Sequence, residues 1–249
     1  MKPVLIGGRT IGHAPCMVAT AMSEQADEML RQVEHAVALG ADVIELRIDK
    51  LPDSAAVRAV IEGARCPHIV ACRTPRFGGF FEGTEEERIA RLEGAACDGA
   101  TAVDVEFFTE PELRARLMSS ARTHGVPVLV GYENMEKTPD RSELSDGLKK
   151  VQALEPDLVK LAVRAHSYDD LLTVLGVARE ASGLLTAPFA VIALGIHGAP
   201  SRPLACVLGA SFTYCATEQG VVPGQLTVKE TRDIIASLAE QRWTCSSKT

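Results

Sequence analysis

The sequence has no run of about 18 consecutive apolar residues, so nothing in it reads as a membrane-spanning helix. It has no excess of positive charge either. Its 26 Lys and Arg stand against 33 Asp and Glu, for a net charge of −7. That balance excludes the clustered cations with which a general nucleic-acid binder neutralises phosphates. The first twenty residues lack a basic segment followed by a long apolar one, so a secretory leader is not expected. No CxxC or other tight metal spacing links the seven cysteines (Cys16, Cys66, Cys72, Cys97, Cys206, Cys215 and Cys245). Odd in number and scattered, they read as reduced thiols, and the expected compartment is the cytoplasm. The six histidines (His13, His35, His68, His124, His166 and His197) make no metal spacing, so no metal site is expected. With no Pro/Ser linker, low-complexity tract or repeat, residues 1–249 are taken as one domain.

What is present is a chain of 249 residues, 46% hydrophobic and 24% charged, enough to bury a sizeable core. Eight short β-rich runs recur along it: residues 16–20, 43–47, 68–72, 102–106, 127–131, 158–163, 189–194 and 204–209. Most are nearly continuous apolar runs, as expected of parallel strands covered on both faces. Helical periodicity fills most gaps, around 54–64, 85–98, 110–124, 141–153, 168–182 and 227–241. Another helix is expected after Ser23 as N-cap, with Ala26, Leu30, Val33 and Val37 on its buried stripe and Gly40 at its end. Thr138-Pro139-Asp140 and Thr227 are further start signals. This alternation predicts an α/β fold, a (β/α)8 TIM barrel. The rival, an open doubly wound sheet, usually carries a glycine-rich turn after its first strand, where this chain has Ala21-Met22-Ser23.

A barrel interior is packed with branched apolar side chains, so ionisable residues at the C-terminal strand ends are the informative ones. In Glu45-x-Arg47-x-Asp49, a period of two turns all three the same way. Arg73 follows the third run, Asp104 and Glu106 end the fourth, and Lys160 interrupts the sixth. Lysine is rarely buried unless paired or working. In a low-dielectric barrel its pKa is expected to fall, freeing an amine that can form an imine with a ketone or aldehyde. The alternative is a lysine reaching water or paired with Glu106 or Glu45. For Glu45, Arg47 and Arg73 the choice lies between substrate binding and a structural ion-pair network. Arg202, beside a glycine-rich turn, suits a carboxylate or phosphate, unless it is a solvated loop arginine.

Read in order, Glu45-Leu46-Arg47-Ile48-Asp49, Arg73 with Gly78-Gly79, Asp104-Val105-Glu106, Lys137-Thr138-Pro139, Lys160-Leu161-Ala162-Val163, Ser201-Arg202 and Pro223-Gly224-Gln225 resemble the type I 3-dehydroquinate dehydratases of the shikimate pathway. The match is colinear over nearly the whole chain. It implies a (β/α)8 barrel, commonly a homodimer, acting on a carboxylated cyclic ketone with no metal or organic cofactor. By the resemblance Lys160 forms the Schiff base with the C3 ketone, a general base removes a C2 proton, and hydroxide leaves C1. Glu45, Arg47 and Arg73 would hold ring hydroxyls, and Arg202 and Gln225 the ring carboxylate.

The departures from that family pattern fall on the chemistry. The family's strand-five histidine is Glu133 here, and its glutamate partner is Phe77. The serine four residues before the glutamine is Val221. Two methionines that pack the site become Ile192 and Leu194, and an aromatic position near the substrate carries Tyr214. Phe77 beside Glu133 is expected to lift that carboxyl toward neutrality, fitting it for acid–base work. The alternative is that Glu133 merely pairs with Lys160 or an arginine. Three functions follow: dehydration of 3-dehydroquinate or a near relative, another imine-based reaction (aldol, isomerisation or aromatising elimination), or ligand binding without turnover. The glycine-flanked segment 73–83 is either a mobile cover over the barrel mouth or an ordinary packed loop.

Overall fold

The computed structural model describes residues 1–217 and 224–245, with side chains through residue 239. A hairpin of β1 (Val4–Ile6) and β2 (Arg9–Ile11) comes first. The barrel strands are β3 (Cys16–Met22), β4 (Val43–Arg47), β5 (His68–Ala71), β6 (Val103–Glu106), β7 (Val128–Asn134), β8 (Leu158–Arg164), β9 (Phe189–Leu194) and β10 (Phe212–Cys215). All pair in parallel in the order β10-β3-β4-β5-β6-β7-β8-β9. At the remaining seam the Ser211 amide donates to the Phe189 carbonyl at 2.7 Å, so the sheet nearly closes on itself. The helices are α1 (Ala26–Ala38), α2 (Ser54–Gly63), α3 (Glu85–Cys97), α4 (Pro111–Thr123), α5 (Arg141–Gln152), α6 (Tyr168–Leu184), α7 (Ser201–Val207) and α8 (Val228–Cys245). This is the expected (β/α)8 barrel. Among the described residues no helix is long and apolar enough to cross a membrane.

Local signals fix where the helices start. Thr84 and Glu87 form a reciprocal capping box on α3, as Ser167 and Asp170 do on α6. Asp53 and Asp140 cap α2 and α5, and Pro111 opens α4, where its missing N–H costs nothing. Helix α1 departs from expectation. Its N-cap is Gln25, while the Ser23 hydroxyl accepts from the Gln25 amide at 3.2 Å. Its buried stripe is Met29, Val33 and Ala36, and Val37 is 45% exposed.

The last strand is also displaced from the expected run. Leu204–Gly209 lies in α7 and its exit, and β10 follows at Phe212–Cys215. A short apolar run cannot distinguish a buried helix from a buried strand by periodicity. Here Ala205 and Cys206 are buried helix positions, and Gly209, at φ +117, ends the segment. Arg202 is therefore a buried residue of the first turn of α7, 2% exposed, and not a solvated loop arginine.

Alternation along the strands separates two apolar layers. Val159, Leu161 and Val163 of β8 pack outward against the helices, whereas Leu158 and Ala162 face inward. The barrel floor is apolar: Ile6 and Ile11 of the hairpin meet Val18, Val43, Ile69, Leu129, Leu158 and Phe212. Polar side chains begin one inward step further along, at Thr20, Glu45 and Lys160. The hairpin thus plugs one end and leaves the C-terminal end for chemistry.

Candidate active site

Lys160 sits in β8 opposite Gly131 of β7. A Cβ on Gly131 would lie 3.1 Å from Glu133 Oε1 and 3.2 Å from Lys160 Cε, so the missing side chain makes room for both groups. Lys160 Nζ donates to Asp104 Oδ2 at 2.6 Å and lies 2.9 Å from Glu133 Oε1. Arg73 lies across the same carboxylates. Its Nη1 donates to both Glu133 oxygens at 2.7 Å, and its Nη2 reaches Asp104 Oδ2 at 2.5 Å and Glu45 Oε1 at 3.5 Å. Behind them Arg88 of α3, with no exposed surface, donates to Glu106 Oε2 at 2.7 Å, the Cys72 carbonyl at 2.9 Å and Thr109 at 2.8 Å. Buried charges survive because each is paired; losing one member would strand its partners.

This network sets the protonation states, and they reverse two expectations. Burial alone would raise the Glu133 carboxyl, but Arg73 and Lys160 outweigh it and hold it down at about 2. Phe77 does line the same cavity and is 6% exposed, yet the adjacent cations decide the outcome. For Lys160, burial and Arg73 disfavour the ammonium, but Asp104 and Glu133 prevail and raise its pKa above the ordinary value. The resting lysine is therefore a paired ammonium rather than a free amine. Glu106 is pushed up, chiefly by burial, against the pull of Arg73 and Arg88.

A cavity of about 110 Å³ opens above Lys160. Around it stand Glu45, Arg47, Arg73, Phe77, Glu133, Leu194, Arg202, Tyr214 and Gln225, all expected from sequence, together with Ile192. Val221 lies outside the described residues. Arg47 is held by Asp49 in a two-pronged pair at 2.8 and 2.9 Å and donates to the Gly78 carbonyl at 3.2 Å. Asp49 belongs to a 3-10 turn beyond β4, supports Arg47 from behind, and also accepts from the Phe80 amide at 3.0 Å. Segment 73–83 is thereby tied down: Phe77 is buried, Lys50 sits 4.2 Å over the Phe80 ring, and Arg91 faces Phe81.

Arg202 differs from the other cavity cations. Its Nη1 donates to the Tyr214 carbonyl at 3.2 Å, and its Nε is buried without a partner among the described residues. Burial, opposed among the described residues only by Cys215 and by no carboxylate, lowers its pKa to about 10. Such a guanidinium offers its N–H donors to an anion.

Sequence reasoning left some participants without a role. Asp104 stands in the sequence as a charge ending a strand and Glu106 as a candidate partner of Lys160, which pairs instead with Asp104 and Glu133; nothing there singles out Arg88. A charge recurring at the buried position of an amphipathic helix could have flagged Arg88. Thr20, which donates to Glu45 Oε2 at 3.1 Å, and Met135 also line the cavity region unannounced. Among the described residues no group of three or more His, Cys, Asp or Glu side chains is arranged to hold a metal ion. The neighbouring carboxylates are already bridged by Arg73 and Lys160.

Fold and cavity together define a (β/α)8 barrel with a lysine-centred, anion-accepting pocket at the C-terminal ends of its strands. The chain belongs to the type I 3-dehydroquinase family, whose profile matches residues 17–242. It is 31% identical over 231 residues to the 3-dehydroquinate dehydratase of Methanococcoides burtonii, covering 90% of this chain and 95% of that one. With the Methanopyrus kandleri enzyme of the same name it shares 33% over 227 residues, 89% of this chain and 99% of the other. Among solved structures, a type I 3-dehydroquinate dehydratase from Clostridium difficile, determined with covalently modified comenic acid, superposes with a TM-score of 0.91 at 22% identity, over 96% of this chain and 99% of that one.

Proposed function

We propose that the protein is an imine-forming carbon–oxygen lyase acting on 3-dehydroquinate or a closely related carboxylated cyclic ketone, with Lys160 as nucleophile. The observation that carries this reading is the buried Lys160 side chain on the cavity floor, in contact with two carboxylates, in the same pocket as the Arg202 guanidinium, which pairs with no carboxylate among the described residues. Arg202 and Gln225 would take the ring carboxylate, and Glu45, Arg47 and Arg73 the ring hydroxyls. The family resemblance adds a single-domain homodimer of the cytoplasm that needs no metal or organic cofactor.

The charge network supports the chemistry. Ammonium plus ketone gives iminium plus water, so one positive charge sits beside Asp104 and Glu133 before and after. The surroundings that stabilise the resting lysine therefore also stabilise the iminium. Lys160 first passes a proton to a touching carboxylate, which frees the amine to attack the carbonyl carbon, and the carboxylate then returns that proton to the carbinolamine hydroxyl, which leaves as water and gives the iminium. Removal of the neighbouring C–H proton by Glu133 turns the iminium into a neutral enamine. Glu133 thereby loses one of its two cations as the proton arrives, and its proton affinity rises at that step. The enamine then expels hydroxide from the carbon bearing the carboxylate, Glu133-H protonates it to water, and hydrolysis of the imine releases product and restores Lys160.

The grip of Arg73 on Glu133 favours a second reading, in which the imine forms but the carboxylate serves another reaction or none. Borohydride reduction in the presence of 3-dehydroquinate, followed by peptide mass analysis, tests the primary step. An adduct on Lys160 is expected, and none would defeat the proposal. Product analysis then separates dehydration from an aldol step or isomerisation. An adduct without any turnover would mark a binding protein.

A further inference from the structure

Lys160 Nζ stands between two carboxylates that differ in what they can reach. In the register of the strands, Asp104 of β6 is level with Leu129 and Leu158, which belong to the apolar floor one inward step below Lys160. Glu133 is level with Ala162, one inward step above it. Glu133 and Ala162 border the cavity, whereas Asp104, 2% exposed, does not. The ammonium is thus held from the floor side by Asp104 Oδ2 at 2.6 Å and from the cavity side by Glu133 Oε1 at 2.9 Å.

Imine formation makes unequal use of these two sides. A lysine ammonium has three N–H bonds and an iminium has one. The two protons lost leave with the carbonyl oxygen as water, so they must travel through a group that the ligand touches. Asp104 cannot carry them. Among the described residues its Oδ2 accepts only from Lys160 and from Arg73 Nη2 at 2.5 Å, and its Oδ1 is buried without a partner. No hydrogen-bonded chain among those residues leads from Asp104 to the cavity. A proton passed to Asp104 would also leave the nitrogen lone pair aimed at the floor, away from the carbonyl carbon. Passed to Glu133, it opens the lone pair on the side where a ligand enters.

We propose that Asp104 is a positioning residue that takes no proton and holds the one N–H surviving in the iminium, while Glu133 carries both protons that are lost. The inference rests on the imine reading and deepens it. Whenever Glu133 is protonated, Asp104 is the anion left in contact with the nitrogen, so its fixed charge keeps the cation partnered throughout. The other groups that bear on Nζ are Arg73 after β5, which opposes its charge, and Tyr214 of β10, whose ring centroid is 5.3 Å away.

Two measurements test this, and the first needs no ketone. Lysine labelled isotopically at Cε lets NMR follow Lys160 in the apo protein, with the signal assigned by its absence from Lys160→Met. Wild type should remain an ammonium beyond the ordinary lysine value of about 10.4, whereas Asp104→Asn should titrate at or below that value. A variant that stays an ammonium as far as wild type does overturns the proposal. The second measurement uses wild type alone, so it stands even where Asp104→Asn fails to fold. In a crystal structure of the borohydride-reduced adduct with 3-dehydroquinate, the Lys160 nitrogen should keep its contact with Asp104 Oδ2 and carry the new C–N bond on the Glu133 side. A nitrogen swung off Asp104, or a C–N bond on the floor side, overturns the proposal. Failure to form any adduct would defeat the imine reading itself, while the apo titration still judges the hold of Asp104 on the lysine.

Discussion

Lys160 and Glu133 hold each other in their charged forms, and removing either leaves the other buried with an incomplete set of partners. Breaking a buried pair on one side costs about 3–5 kcal/mol, whereas removing both members costs far less. Lys160→Met and Glu133→Gln are each expected to lower urea-unfolding stability by about 3 kcal/mol, and the double variant by clearly less than the sum. The sign of the pH dependence follows from the same pair. Glu133 has a folded pKa of about 2, below its unfolded value of about 4.3, so its stabilisation is complete above pH 4.3 and is lost as pH falls toward 2. Lys160, raised above its ordinary value, contributes fully below about pH 10.4 and loses that contribution as pH rises beyond it. The stability gap between wild type and Glu133→Gln should therefore be level from about pH 5 to 9 and shrink on acidification. Turnover of 3-dehydroquinate should fall about 10²–10⁴-fold below that of a histidine-bearing relative, because a carboxylate locked by Arg73 is a weak acid–base group. Single charges in apolar runs betray themselves in a sequence, which is why Lys160, Arg73 and Glu45 were legible. Their protonation states were not, because these depend on carboxylates brought from β6 and β7 at 2.6–2.9 Å.

The same boundary between legible and illegible runs through the elements. Strands β3 to β9 show in the sequence because each falls in the most β-rich run between two helical stretches, even where only four residues carry it, as in β5 and β6. Strand β10 does not, because the more apolar Leu204–Gly209 stretch precedes its four residues and competes with them. The hairpin is hidden for a related reason: three-residue strands have no measurable period. Its function is mechanical. Ile6, fully buried, closes the floor of the barrel at the end away from Lys160. Ile6→Ala should cost about 3 kcal/mol in denaturant unfolding, within the range for an excavated core, and leave KM unchanged. The 73–83 segment should respond in the opposite way. A Cβ on Gly79 would stand 2.0 Å from the Arg73 carbonyl oxygen, so Gly79→Ala must displace the backbone that carries Arg73. Loss of ligand affinity well beyond any loss of Tm is expected, read by calorimetry beside thermal unfolding.

In the molecule as a whole, an apolar shell and floor supply stability, and a polar mouth spends part of it. Arg202 Nε and Tyr214 Oη are both buried without partners among the described residues, and both residues line the mouth. Unpaired groups of this kind weaken the empty barrel and strengthen the occupied one, because a ligand satisfies them only in the folded state. Since the sheet is nearly continuous around its circumference, what stabilises the mouth is expected to stabilise the barrel as one cooperative unit. A ligand at one hundred times its Kd adds about 2.7 kcal/mol. For a domain of this size that is roughly 5–10 °C in Tm. Wild type saturated with 3-dehydroquinate should show a shift of that order. After borohydride reduction the shift should persist when free ligand is dialysed away, since the adduct cannot leave. In Lys160→Met a smaller shift, lost on dialysis, should remain from the Arg202 end of the pocket. Equal and dialysable shifts in the two proteins would mean that the lysine holds the ligand by charge alone.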